Sequence, residues 1–74
     1  MTVTRNYNRR REVRTEARIA DLEALLAKRV AMYRADIVEI LSKQWGVGVH
    51  TASLIVQYAR KEGRIQFNGV KYFV

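Results

Sequence analysis

The stretch "QWGVGVHTASLIVQYARKEG", residues 44–63, decides how this chain folds. Two glycines one residue apart, Gly46 and Gly48, interrupt an apolar run, and a helical pattern follows them at once. Ala52, Ile55, Val56 and Ala59 recur at the spacing of one buried helix face. The stretch therefore predicts the end of one helix, a tight turn and a second helix that runs from residue 49 to about residue 62.

The glycine pair invites comparison with a phosphate-binding loop. Such a loop usually follows a strand and carries a Lys-Ser/Thr pair or a further acid. Here the glycines follow a helical pattern, and no such lysine is present. The residues favour a helix stop over nucleotide binding, and Gly63 occupies the position that helices prefer for a terminal glycine.

Upstream of the turn, the apolar spacing predicts two further helices. Ala17, Ile19, Leu22, Leu25 and Leu26 indicate a first helix over residues 13–29. Ile37, Ile40, Leu41 and Trp45 indicate a second over residues 35–44, with Asp36 near its positive end. Between them, residues 30–33 either finish the first helix or form a brief strand.

The last eleven residues predict a β-hairpin. Asn68 and Gly69 lie between β-branched and aromatic residues, as in a two-residue type I′ turn. That turn pairs Phe67 with Val70 and Ile65 with Tyr72. One face then holds these four residues and Val74, and the other face holds Arg64, Gln66, Lys71 and Phe73.

Composition limits the chain to one small basic domain. The 74 residues include 14 Lys and Arg against 7 Asp and Glu, a net charge of +7, and 49% are hydrophobic. A chain this short has room for one modest core, and its charge favours a polyanionic partner. Residues 1–12 are polar and Arg-rich, which predicts a flexible basic arm before a folded domain over residues 13–74.

The sequence offers little for chemistry or for a membrane. Cysteine is absent and His50 is the only histidine, so neither a metal site nor any other cofactor is expected. One histidine and scattered acids do not assemble a catalytic set, which predicts a protein that is not an enzyme. No apolar run approaches the length of a membrane span and the N-terminus lacks an apolar signal core, so a cytoplasmic protein is expected.

Residues 15–74 resemble the winged helix-turn-helix family of DNA-binding domains. The resemblance is carried by "ADIVEILSKQWGVGVHTASLIVQYARKEGRI" followed by "QFNGVKYFV". Gly46-Val47-Gly48 stands at the family's turn, with Gly48 in place of the usual Ser cap. Thr51-Ala52 opens its recognition helix and Ile65 begins its wing. The resemblance implies an α+β fold, mainly α, with a three-helix core and a C-terminal two-stranded wing.

The resemblance also assigns roles to side chains. The third helix would enter the major groove of double-stranded DNA, with base contacts from His50, Thr51, Ser53 and Gln57. Basic residues would contact the phosphate backbone or the minor groove: Arg5, Arg9, Arg10, Arg11, Arg14, Lys61, Arg64 and Lys71. The expected protein is a transcriptional repressor or related regulator, as a homodimer. Size alone suggests a prokaryotic or viral source.

Two other functions fit the same residues. Leu54, Tyr58 and Phe73 are apolar and expected outside the core, so they could form the contact patch of a protein-interaction adaptor in a replication or transcription assembly. The Arg-rich arm could equally bind RNA. The sequence therefore supports polyanion binding more directly than it supports duplex DNA.

Overall fold

The computed structural model describes the backbone of residues 2–74 and the side chains of residues 13–74. Three helices are followed by an antiparallel two-stranded hairpin, which confirms the predicted mainly helical α+β fold. The elements are α1 (Thr2–Arg29), α2 (Arg34–Trp45), α3 (Val49–Lys61), β1 (Gln66–Phe67) and β2 (Tyr72–Phe73). In this described part of the chain, no helix has both the length and the apolar character that crossing a membrane requires.

Helix α1 begins much earlier than predicted. Its first residue is Thr2, so the expected start at Val13 is wrong, and the backbone of residues 2–12 is helical. Neither Gly nor Pro separates these residues from the apolar part of the helix, and Arg is a good helix former. The side chains of the arm's arginines (Arg5, Arg9, Arg10 and Arg11) lie outside the described residues, as do their predicted contacts.

The connection from α1 to α2 forms a brief strand-like bridge, the second of the two predicted alternatives. Val30 takes a positive φ of 74° directly after the last helical residue. Met32 then pairs antiparallel with Tyr72, donating to the Tyr72 carbonyl at 3.0 Å and accepting from the Tyr72 amide at 2.8 Å. The hairpin is thereby fixed to the start of α2.

The turn between α2 and α3 follows the prediction from the glycine pair. Gly46 has φ 67°, and the amide of Val47 donates back to the Ser42 carbonyl at 2.9 Å. This pattern closes a helix with a left-handed residue that favours glycine. Gly48 has φ −72° and ψ 159° and is the N-cap of α3. Gly63, which follows α3, also adopts a left-handed conformation, with φ 76°.

The hairpin forms in a different register from the predicted one. Phe67 pairs with Tyr72 rather than with Val70, so four residues connect the strands and the two-residue type I′ turn is wrong. The Asn68 side chain explains the longer loop, because its Oδ1 accepts from the amides of Val70 at 2.9 Å and Lys71 at 2.8 Å. A local side chain to backbone bond of this kind competes with the hairpin ladder.

The register shift moves the pairing by two residues, so the faces are kept. Ile65 and Tyr72 are buried, and Phe67 packs against the core from the same face, as predicted. Val70 is 61% exposed because it lies in the loop instead of the strand, and Val74 is also exposed. Val70 and Val74 therefore do not belong to the buried face of the hairpin.

One core joins all the elements. Its residues are buried on the facing sides of the three helices and the hairpin: Ile19, Leu22, Leu26, Met32, Ile37, Val38, Leu41, Ala52, Val56, Ala59, Ile65 and Tyr72. Leu25, Ile40, Trp45 and Ile55 pack at its edge. Ala17, which the spacing placed on the apolar face of α1, is exposed. The core fixes the rotation of α3, and this rotation decides which of its side chains face outward.

Candidate nucleic-acid interface

Helix α3 presents a polar side away from the core. Ala52, Val56 and Ala59 are buried, and at about 100° per residue the opposite side carries the polar residues His50, Gln57 and Lys61, with the exposed Leu54 beside them. These three side chains are exposed. We call this surface the polar side of α3.

The four candidates for base contacts divide by position. His50 and Gln57 share the polar side of α3, whereas Ser53 and Thr51 are half-buried at its two flanks. The Ser53 hydroxyl oxygen accepts a hydrogen bond from a guanidinium nitrogen of Arg34, at the start of α2. Thr51 lies on the flank that faces α1. Of the four candidates, only His50 and Gln57 are both exposed and on the same side of the helix.

Two cations, one on α3 and one in the hairpin loop, lie over aromatic rings. The Lys71 ammonium lies 4.9 Å from the centre of the Tyr33 ring, and the Arg60 guanidinium lies 4.8 Å from the centre of the Phe67 ring. Contacts of this kind attract the cation to the ring face and restrict where a long side chain can point. Lys71 was predicted as a phosphate contact, whereas Arg60 was missed.

Arg34 was also missed as a candidate. It joins α2 to α3 through Ser53, residues nineteen positions apart, so no local pattern in the sequence pointed to the contact. Arg60 could have been found from the helix itself, because it lies beside Lys61 and one turn from Gln57. The contact of Arg60 with Phe67 could not have been found in this way, because Phe67 belongs to the hairpin.

Arg64, predicted to contact phosphate, is instead held by two carboxylates of α1. Its guanidinium donates to Glu16 at 2.7 Å and to Glu23 at 3.0 Å. These hydrogen bonds, first to Glu23 and then to Glu16, raise the pKa of Arg64 above its ordinary value. The pair geometry is bidentate in character, which favours a fixed orientation. Arg64 therefore joins the start of the hairpin to α1.

The described acidic side chains of α1 have partners within the protein, whereas the cations near α3 have no acidic partner among the described residues. The acids of α1 within residues 13–29 are engaged internally: Glu16 and Glu23 with Arg64, and Asp21 with the Trp45 indole nitrogen at 2.9 Å. Among the described side chains, no carboxylate lies within ion-pair distance of the cations beside α3, which are Arg34, Arg60, Lys61 and Lys71. The α3 side is thus left with positive charge that the protein does not neutralise by contact.

A separate groove runs between α1 and the other flank of α3. Leu54, Ile55 and Tyr58 form its apolar part, and charged side chains line it as well: Arg14, Glu16, Arg18, Glu62 and Arg64. Leu54 is 48% exposed and Tyr58 is 47% exposed. We call this surface the α1–α3 groove.

The predicted protein-contact patch is split by the fold. Leu54 and Tyr58 both line the α1–α3 groove, but Phe73 is not among its lining residues and is half-buried on β2. Arg14, predicted as a backbone contact, lies on the rim of this groove. The groove therefore adjoins the polar side of α3, because Leu54 lies only about 40° around the helix from His50.

Comparison of the chain with protein-family models, with curated proteins and with solved structures gives no match. Within the described residues, no group of three or more histidine or acidic side chains is placed to hold a metal ion. The functional argument therefore depends on the surfaces themselves.

Proposed function

We propose that the chain is a winged helix-turn-helix protein that binds double-stranded DNA and regulates transcription, as a repressor. The observation that supports this most strongly is the polar side of α3, which presents His50 and Gln57 on the same helix as Arg60 and Lys61, two cations that form no ion pair with a described side chain. Such a regulator would act in the cytoplasm, on prokaryotic or viral DNA.

The dimensions of α3 suit the major groove. Its 13 residues span about 20 Å, and an α-helix fits a groove that is about 12 Å wide. His50 and Gln57 lie about two turns apart on the same side, a separation of about 10.5 Å. This separation corresponds to about three base-pair steps. One docked helix could therefore place both side chains on bases of a single short site.

Each side chain has a partner in the groove that matches its chemistry. The Gln57 amide can donate to and accept from adenine in a bidentate pair. His50 can donate to a guanine acceptor or to a phosphate oxygen. Gln57 therefore carries the larger share of the proposed sequence preference.

The bordering cations would position the protein on the DNA backbone. Arg34 and Arg60 lie on the flank of α3 that carries Ser53, Lys61 lies on its outward side, and Lys71 lies in the hairpin loop, so these cations could contact phosphates of the DNA backbone. Four such contacts correspond to a log-log dependence of affinity on salt with a slope of about −3.6. The arginines of residues 1–12 would add backbone or minor-groove contacts and make the slope steeper.

The proposal is tested by selecting bound sequences from random duplex DNA with the full chain. Enrichment of a short common site, followed by a salt slope at least as steep as about −3.6 on that site, is the expected result. Recovery of random sequences only would remove the specific part of the proposal. Single-stranded RNA that competes better than the selected duplex would favour RNA binding instead.

A further inference from the structure

We infer that the α1–α3 groove is the place where a second copy of this chain docks, giving a symmetric dimer. This inference does not depend on DNA binding. The groove exposes about half of Leu54 and Tyr58, side by side on one flank of α3, with Ile55 beneath them. Contiguous apolar surface with a charged rim is typical of protein-contact sites.

The charges on the rim identify the occupant. Arg14, Glu16 and Arg18 lie on the α1 wall, and Glu62 lies at the end of the α3 wall. Glu16 is paired with Arg64 of the same copy, so Arg14, Arg18 and Glu62 are the charges left on the two walls. Within one copy, Glu62 makes no ion pair with any described side chain. In a two-fold symmetric contact, residue i of one copy meets residue j of the other, and j meets i. The basic α1 wall of each copy would then face the acidic end of the α3 wall of the other.

Of the two basic residues, Arg14 is the one available for this contact. Arg18 already lies 5.6 Å from the centre of the Trp45 ring, which is hydrogen-bonded to Asp21. Arg14 is exposed and has no such ring contact. The pair Arg14 with the partner copy's Glu62 is therefore the electrostatic contact to test.

The small apolar floor sets the strength of the dimer. Three apolar side chains form a contact at the low end of specific interfaces, where association is weak and depends on concentration. Leu54 lies about 40° around α3 from His50, so a docked copy would adjoin the polar side of α3.

Sedimentation equilibrium of the full chain, up to millimolar concentration, measures the association. We expect a monomer–dimer equilibrium that Leu54→Ser weakens by about tenfold, because one apolar contact is lost in each copy. Val70→Ser is the matched control, since Val70 is also an exposed apolar residue but lies in the hairpin loop. Circular dichroism checks that each variant is folded.

A charge exchange separates self-docking from any other occupant. Arg14→Glu alone and Glu62→Arg alone should each weaken self-association, because each places like charges across the interface. An equimolar mixture of the two variants should associate again, as both cross-copy pairs become opposite in sign.

Three results would each overturn the inference. The wild-type chain could remain monomeric at millimolar concentration, even if it captures some other protein. Leu54→Ser could behave like Val70→Ser. The mixture of charge variants could associate no better than either variant alone.

Discussion

The two flanks of α3 differ in chemistry although they belong to one helix of 13 residues. The polar side carries His50, Gln57 and Lys61 and is bordered by cations, whereas the other flank carries Leu54 and Tyr58 above an apolar groove. Leu54 and Tyr58 were expected on the outward side of the helix with the base-contact candidates, and both are exposed there. The difference shows that the outward side of one helix can present two adjoining surfaces.

The partners of each flank explain how the difference is maintained. Arg34 of α2 contacts α3 through Ser53, and Phe67 of the hairpin contacts it through Arg60. The groove is bordered by α1, in which Glu16, Asp21 and Glu23 are engaged by Arg64 and Trp45. Neighbouring elements thus set the charge on each flank, and the predictions below test this division.

The largest expected effect comes from removing the proposed base contacts. The double variant His50→Ala and Gln57→Ala should lose most of its preference for the selected site while keeping non-specific binding. Each good base contact contributes about 1–3 kcal/mol of discrimination, so the preference should fall by at least about tenfold. Fluorescence anisotropy with selected and scrambled duplexes measures this ratio.

The control for that double variant lies on the other flank of the same helix. Leu54→Ser, measured at concentrations below self-association, should keep the preference for the selected site. Equal loss of preference in both variants would contradict a division of α3 into two surfaces.

A smaller effect is expected from the turn that sets the rotation of α3. Gly46→Ala should lower the free energy of unfolding by about 1–2 kcal/mol, because alanine is strained in the left-handed region. No atom lies within 4 Å of the added Cβ, so the cost comes from the backbone and not from a clash. Urea unfolding followed by circular dichroism gives the value, and unchanged stability would contradict the positive φ of Gly46.

The salt dependence of DNA binding distinguishes two cations of equal charge. Lys61→Gln should reduce the magnitude of the salt slope by about 0.9, the contribution of one phosphate contact. Arg64→Gln removes the same charge but should leave the slope unchanged, because Arg64 is occupied by Glu16 and Glu23. If instead Arg64→Gln reduced the slope and Lys61→Gln did not, the residues at the start of the hairpin, and not α3, would lie against the DNA backbone.

The smallest effect concerns the cap of α3. A Cβ added at Gly48 would have open space around it, the Gly48 backbone is extended, and no side chain caps the helix. Gly48→Ser should raise the free energy of unfolding by a few tenths of a kcal/mol, since serine can accept from the first free amides. A loss of stability in thermal unfolding would indicate that the turn cannot hold a side chain at this position.

Local features of the fold could be predicted from the sequence. Gly46 and Gly63 specify left-handed helix ends, and the spacing of Ala52, Val56 and Ala59 gives the buried face of α3. The hairpin was also predictable, but its register was not. The Asn68 side chain bonds the backbone of its own loop, and a two-residue turn signal does not reveal this competition.

Features that depend on distant residues could not be predicted. The ion pairs of Arg64 with Glu16 and Glu23 join residues more than forty positions apart. The cation–ring contacts of Arg60 with Phe67 and of Lys71 with Tyr33 likewise join residues from different elements. The sequence therefore supplied the candidate side chains, whereas the packing decided which of them share a surface.

The measurement that tests the central claim most directly is a titration of the ¹⁵N-labelled full chain with the selected duplex, followed by NMR chemical shifts. The proposal predicts that the largest shifts occur at His50, Gln57 and Lys61, with smaller ones at Lys71. Shifts concentrated at Leu54 and Tyr58 and absent from His50 and Gln57 would contradict it.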